Sequence, residues 1–248
     1  GSQFSAAFEE LEENGFSRLG LVLDTSTVTE IVNYFRSRPC YNAHVVNRGT
    51  EEPNNDGIGR WVGQGAEEHA FGSYPLHDIM DAPKLLELFN DPHFLAATER
   101  YLGCVPTIYS INAWWSFPLG LEEQFMTQAF HRDCDDFRYF SLFIYLTDVS
   151  ESFGPHQYVA GTHKPDQFTS MLIATLAPDV DSAKVDKIPA FNKLAELMTN
   201  GPCYVGDDRI MDLFGENLET ICASAGSAFL ADPSGFHRAM HPTAGPRL

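Results

Sequence analysis

The chain has 248 residues, and 16 Lys and Arg against 34 Asp and Glu give a formal charge of −18. Hydrophobic residues at 44% and charged residues at 20% are globular proportions and exclude a disordered or fibrous chain. The charge opposes nucleic acid and anionic lipid, which need a basic face, and the longest strongly apolar run, residues 140–146, is far short of a membrane span, so neither is expected as a partner.

Phe4, Phe8 and Leu11 carry a helical period that Asn14-Gly15 ends. Residues 16–23 read as a short strand, and Asp24 to Thr27 offer N-cap residues for a helix that buries Val28, Ile31, Val32 and Phe35. The pattern dissolves over 40–75, a long loop of the lid or binding kind. A helix returns over 83–102, opened by Pro83 and stopped by Gly103. Beyond it, residues 105–117, 125–133 and 139–149 are aromatic and β-branched runs that read as strands. In the last of these, Phe140, Leu142, Ile144 and Leu146 face one way, and Tyr139, Ser141, Phe143, Tyr145 and Thr147 the other.

Residues 156–159 form a further strand, closed by Gly161-Thr162-His163. A helical insert covers about 164–217, with Phe191, Leu194, Ala195, Leu197 and Met198 as one segment. Strand signals return at 218–224, at 227–231 and from His237 onward. This order predicts one α+β domain over 1–248: a mainly helical part, 1–103, and a β-sandwich or open barrel, 104–248. Cys40, Cys104, Cys134, Cys203 and Cys222 contain no CxxC pair and read as reduced thiols of a cytoplasmic protein. No signal peptide is expected, Gly1-Ser2 reading as a cloning remnant.

The sharpest chemical feature is His131-Arg132-Asp133 at the end of an extended run. Residues i and i+2 of a strand project the same way, so the imidazole and the carboxylate converge. Adding a distant histidine makes the 2-His-1-carboxylate set that holds Fe(II) on one face and leaves positions open for cosubstrate and oxygen. The third donor is read at His237, which follows a strand and the Pro233-Ser234-Gly235 turn, 104 residues after Asp133. Arg247 keeps the same side of an extended segment, and its planar fork suits a carboxylate.

His241 competes with His237, but Pro233, Gly235, Pro242 and Gly245 oppose the helix that an i, i+4 zinc pair needs. His163 reads as part of a structural turn, and His44, His69, His77 and His93 as loop or surface residues. A protein-kinase catalytic loop also contains His-Arg-Asp, but it needs Asn five positions on, where Arg138 stands.

Phe130-His131-Arg132-Asp133, the strand 141–148, the turn-strand 154–164 and the His237…Arg247 pair together resemble the phytanoyl-CoA dioxygenase family of Fe(II)/2-oxoglutarate oxygenases, over about residues 104–248. The resemblance implies a double-stranded β-helix (jelly-roll, cupin-like) core with flanking N-terminal helices. It implies that His131, Asp133 and His237 hold iron, that Arg247 takes the distal carboxylate of 2-oxoglutarate, and that Phe143 walls the cosubstrate pocket. Arg132 departs from a frequent Gln, Trp115-Ser116-Phe117-Pro118 lacks a frequent Lys, and Ala239 stands where a hydroxyl is common. A last core strand is expected past Leu248. Asp133 argues against the halogenase variant of the site.

The implied reaction uses O₂ to decarboxylate 2-oxoglutarate to succinate and CO₂ while hydroxylating an unactivated C–H bond. The substrate is read as a small metabolite or natural-product intermediate, rather than a CoA thioester. The second reading is a catalytically silent jelly-roll binding module with a structural metal. Substrate contacts are expected from the 40–75 segment, Trp114 or Trp115, Tyr145, His156 and parts of the insert, with Arg48, Arg60 and Arg138 as anchors for an acidic substrate. Neither the substrate's identity nor the oligomeric state can be read from the sequence.

Overall fold

The computed structural model describes residues 2–42, 58–118, 126–176 and 205–248. Chain order runs α1 (Ser2–Asn14), β1 (Phe16–Leu21), α2 (Thr25–Arg36), β2 (Tyr41–Asn42), β3 (Phe71–Ser73), α3 (Leu76–Met80), α4 (Leu85–Phe89) and α5 (Pro92–Leu102). It continues through β4 (Trp114–Ser116), β5 (Ser141–Ile144), β6 (His156–Val159), α6 (Pro165–Leu176), α7 (Asp207–Phe214), β7 (Leu218–Ile221), β8 (Ser227–Ala231) and β9 (His237–Ala239). The strands pair antiparallel in three sheets, ordered β1-β8-β5, β2-β3-β4 and β7-β6-β9. Mixed helices and antiparallel sheets agree with the α+β class. Among the described residues no helix is long and apolar enough to cross a membrane.

Period-two alternation decides which layer meets which. In β8, Ala228 and Leu230 turn outward onto Phe8 and Leu11 of α1 and Phe94 and Tyr101 of α5. Phe229 and Ala231 turn inward, where Phe143 and Tyr145 join them against Tyr158 of β6 and Ile221 of β7. Two sheets therefore face each other across an aromatic interior, with helices covering the outside of one. The third sheet packs its Trp115 and Phe117 on Val28, Ile31 and Phe35 of α2. Helices α6 and α7 close a further cluster through Phe168, Leu172, Ile210 and Phe214 against Phe130 and Phe236.

The segment after β9 is tied down along its length. Met240 N–H donates to Pro155 O at 2.9 Å, and Thr243 and Ala244 N–H donate to Ser152 O at 2.8 and 3.0 Å. Arg247 and Ser116 then exchange both backbone bonds, at 2.9 and 2.8 Å, joining this segment to β4.

Several expectations need correction. The helix expected over 83–102 is two, because Asp91 caps a new start by accepting from His93 and Phe94 N–H, both at 2.9 Å, with Pro92 in the first turn. The strands expected over 105–117 and 125–133 shrink to Trp114–Ser116 and to isolated bridges at Phe130 and His131, since β-forming composition without a partner edge makes no ladder. The 40–75 segment contains β2, β3 and a Cys40–Arg60 bridge that closes it. Its residues 43–57, and the insert segment around Phe191 to Met198, lie outside the described residues. Cys40, Cys104, Cys134 and Cys222 are free thiols, and Cys203 also lies outside the described residues.

Candidate metal centre

His131 and His237 oppose each other on a short antiparallel bridge, each N–H donating to the other's carbonyl at 3.0 Å. Directly opposed residues project to the same side, and the two rings lie 4.3 Å apart. Asp133 N–H donates to Pro233 O at 2.8 Å, which extends the pairing one step and carries the carboxylate to that side too. His131 Nε2 lies 3.6 Å from Asp133 Oδ1, and His237 Nε2 lies 3.5 Å from Oδ2. One donor atom from each of the three residues lies within 4.8 Å of the others, a spacing that suits one metal ion.

The orientation of the rings defines the chemistry. His131 Nδ1 lies 2.8 Å from Ala129 O, and His237 Nδ1 lies 2.9 Å from Gly235 O. A carbonyl only accepts, so each Nδ1 carries a proton, and Nε2, the nitrogen facing Asp133, is the one each ring can offer to a metal. Carbonyl-oriented imidazoles are the usual second shell of a metal site, and two N donors with one O donor suit a divalent transition ion. Burial, reinforced by His237, pushes the His131 pKa below its ordinary value and keeps the ring neutral. Burial pushes the Asp133 carboxyl up, but the hydrogen bond and charge of His237, with His131 behind it, outweigh this and lower it. A divalent cation held by the three side chains would act on the carboxylate with charge of the same sign. The imidazoles are 5% and 7% exposed and the Asp133 side chain 40%, so the centre opens on the carboxylate side.

The turn that delivers His237 is held from several directions. Asp232 Oδ1 accepts from Ser234 N–H at 3.0 Å, and Asp232 O accepts from Tyr158 Oη at 2.8 Å. Thr162 Oγ1 accepts from Phe236 N–H at 2.8 Å and donates to Val159 O at 2.7 Å. A Cβ on Gly235 would stand 2.0 Å from Tyr158 Oη, so this position admits only glycine at the observed packing. Arg132, the residue between the expected ligands, points away from them. Its Nε donates to Ser234 O, and its guanidinium lies over Phe236 at 5.7 Å, which binds the two ligand-bearing segments together.

Arg247 is half-buried, its Nη2 donating to Ser116 Oγ at 3.1 Å. Its Nη1 is buried without a hydrogen-bond partner among the described residues. Desolvation lowers the arginine's pKa, opposed by Tyr145. His156 stands beside the centre, its ring 5.5 Å from that of His237 and 4.9 Å from that of Phe143. Phe143 stacks on Phe229 at 4.8 Å and forms part of the same interior wall.

Two residues expected in the substrate pocket, Trp115 and Tyr145, are buried. Trp115 is 0% exposed, stacks on Phe117 at 6.3 Å and spends its Nε1–H on Tyr74 Oη at 3.0 Å, so it is core of the α2 layer. Its neighbour Trp114, on the opposite face of β4, shares the Ser116 side. Tyr145 braces two strands, its hydroxyl accepting from His156 N–H at 2.9 Å and donating to Ile221 O at 3.0 Å.

Arg60 pairs with Glu68, and Arg138 pairs with Glu12 at 2.7 Å, so both anchors expected for an acidic substrate are engaged within the chain. Arg48 and His44 lie outside the described residues. His241 Nδ1 accepts from Gln128 Nε2 at 2.9 Å and stands outside the three-residue group. Sequence reasoning missed the orienting carbonyls of Ala129 and Gly235, since any residue supplies a carbonyl. It also missed Ser116, whose place beside Arg247 depends on the last segment returning to β4.

No family profile matches the chain, and no curated protein matches it in sequence. Solved structures do match it in fold. One is the non-heme alpha-ketoglutarate-dependent epimerase SnoN from nogalamycin biosynthesis, with a TM-score of 0.54 at 13% identity, covering 99% of this chain and 80% of that one. HygX from Streptomyces hygroscopicus, solved with nickel, 2-oxoglutarate and hygromycin B, gives 0.55 at 13% identity over 98% and 83% of the two chains. EctD from S. alaskensis, in its apo form, gives 0.54 at 12% identity over 100% and 74%. At these identities the likeness is one of fold.

Proposed function

We propose that the chain is an Fe(II)- and 2-oxoglutarate-dependent dioxygenase of the phytanoyl-CoA dioxygenase type, built on a double-stranded β-helix core. The observation that carries this reading is the pair of carbonyl-oriented imidazoles presenting Nε2 to Asp133 within 4.8 Å, together with an arginine whose buried Nη1 has no partner among the described residues. His131, Asp133 and His237 would hold the iron, and Arg247 would take the distal carboxylate of 2-oxoglutarate beside the Phe143 wall. Iron with 2-oxoglutarate and O₂ supplies oxidising power that side chains lack, with succinate and CO₂ as products. The protein's part is to fix the three donors, orient the 2-oxo acid through Arg247 and keep water from the reacting centre. Hydroxylation of an unactivated C–H bond in a small metabolite or natural-product intermediate is the reaction assigned. SnoN's place in nogalamycin biosynthesis and hygromycin B bound to HygX support that substrate class.

Adding 2-oxoglutarate to the Fe(II) protein without oxygen is expected to produce a weak visible metal-to-ligand charge-transfer band. Admitting O₂ with a metabolite panel should then release succinate above the uncoupled background. A silent binding module gives neither signal, and that result would replace the oxygenase reading.

A further inference from the structure

Two buried polar atoms on the interior side of the site lack partners among the described residues: His156 Nε2 and Arg247 Nη1. The His156 ring is enclosed by Phe143 at 4.9 Å, Phe229 at 5.2 Å and His237 at 5.5 Å, a setting that offers no acceptor to Nε2. Its backbone is fixed from the other side by the Tyr145 hydroxyl at 2.9 Å. Burial, followed by the charges of His237, Arg247 and His131, holds this imidazole well below its ordinary pKa. Tyr145, whose hydroxyl accepts from His156 N–H, precedes Leu146, whose N–H donates to Leu248 O at 2.9 Å, so His156 and Arg247 flank one stretch of chain. An orphaned buried donor is costly, and one anion can satisfy two of them at once. A carboxylate has about four acceptor positions and serves a guanidinium and an imidazole N–H at once.

We propose that His156 is the second donor of the anion subsite, its Nε2–H and the Nη1–H of Arg247 together holding the distal carboxylate of 2-oxoglutarate. This assignment rests on the oxygenase reading above and moves His156 from the substrate pocket to cosubstrate binding. No proton is transferred; the ring donates one hydrogen bond and fixes the carboxylate's rotation.

The test is calorimetric titration of the Zn(II)-loaded full chain with 2-oxoglutarate, and with 2-oxovalerate, which lacks the distal carboxylate. His156→Leu should raise the Kd for 2-oxoglutarate on the order of tenfold or more, leave Zn(II) affinity unchanged and leave 2-oxovalerate binding as in the wild type. His156→Gln, which keeps a donor, should recover most of the loss. In the wild type, ¹⁵N-edited imidazole spectra should show a proton held on His156 Nε2 and moved downfield by 2-oxoglutarate but not by 2-oxovalerate. Equal 2-oxoglutarate affinity in wild type and His156→Leu, or equal losses for both acids, overturns the proposal alone. If the leucine variant fails to bind Zn(II), the wild-type spectrum decides, and an unmoved His156 resonance overturns it. A wild type that binds Zn(II) but no 2-oxoglutarate overturns the oxygenase reading and the proposal with it.

Discussion

Arg247 carries its charge into the interior with the neutral Ser116 Oγ on Nη2 and no partner on Nη1 among the described residues. A buried cation lacking an anion destabilises the fold around it, whereas an anionic ligand turns the same charge into affinity. Arg247→Met keeps length and removes charge. The variant is therefore expected to unfold at the same temperature as the ligand-free wild type or higher. Its Kd for 2-oxoglutarate should rise at least about thirtyfold, or about 2 kcal/mol, by titration of the Zn(II) form. A lower unfolding temperature with unchanged Kd would make the guanidinium a structural brace. The donors themselves were legible because strand period two makes His131 and Asp133 convergent, and because His237 follows a turn that reverses the chain. What surrounds them was not: the Ala129 and Gly235 carbonyls have no residue type to mark them, and Trp115 reads the same in a core as in a pocket.

The 232–237 turn, with β6 and the Thr162 corner beneath it, is the element on which the third donor depends. Thr162→Val keeps the shape and removes the acceptor for Phe236 N–H, leaving a buried donor unpaired. The loss should be about 1–3 kcal/mol of stability by urea unfolding, with weaker Zn(II) or Fe(II) binding because the turn carries His237. Unchanged metal affinity would mean that the turn is fixed without this contact. Elements with an intrinsic pattern were readable at this scale: α2 with its Asp24 cap accepting from Thr27 N–H at 2.7 Å, and the alternation through β5. Those that depend on a partner edge were not. Residues 105–113 have strand composition but no strand to join, and 83–102 has one apolar face across two helices.

Among the described residues, burial holds four histidines below their ordinary pKa of 6.5: His131, His156, His163 and His241. The unfolded chain takes up protons at these rings near that value while the folded chain does not. The unfolded state therefore binds more protons just below pH 6.5, and stability falls as pH falls through that window. The unfolding temperature of the metal-free protein should be level above about pH 7.5 and decline toward about pH 5.5. Asp133, whose carboxyl is lowered, adds a further loss below the ordinary carboxylate value of 3.8. A flat profile would mean that these rings are hydrated and charged in the folded state. Between His237 and Arg247 the chain is pinned to Pro155, to Ser152 and finally to Ser116. One stretch of backbone thus carries an imidazole at its start and a guanidinium at its finish, with the interval set by folding rather than by the guest. Under the proposed function it would act as a gauge: a keto diacid with one carbon fewer would reach a single end, a longer one would have to buckle, and cosubstrate choice would become a measurement of length.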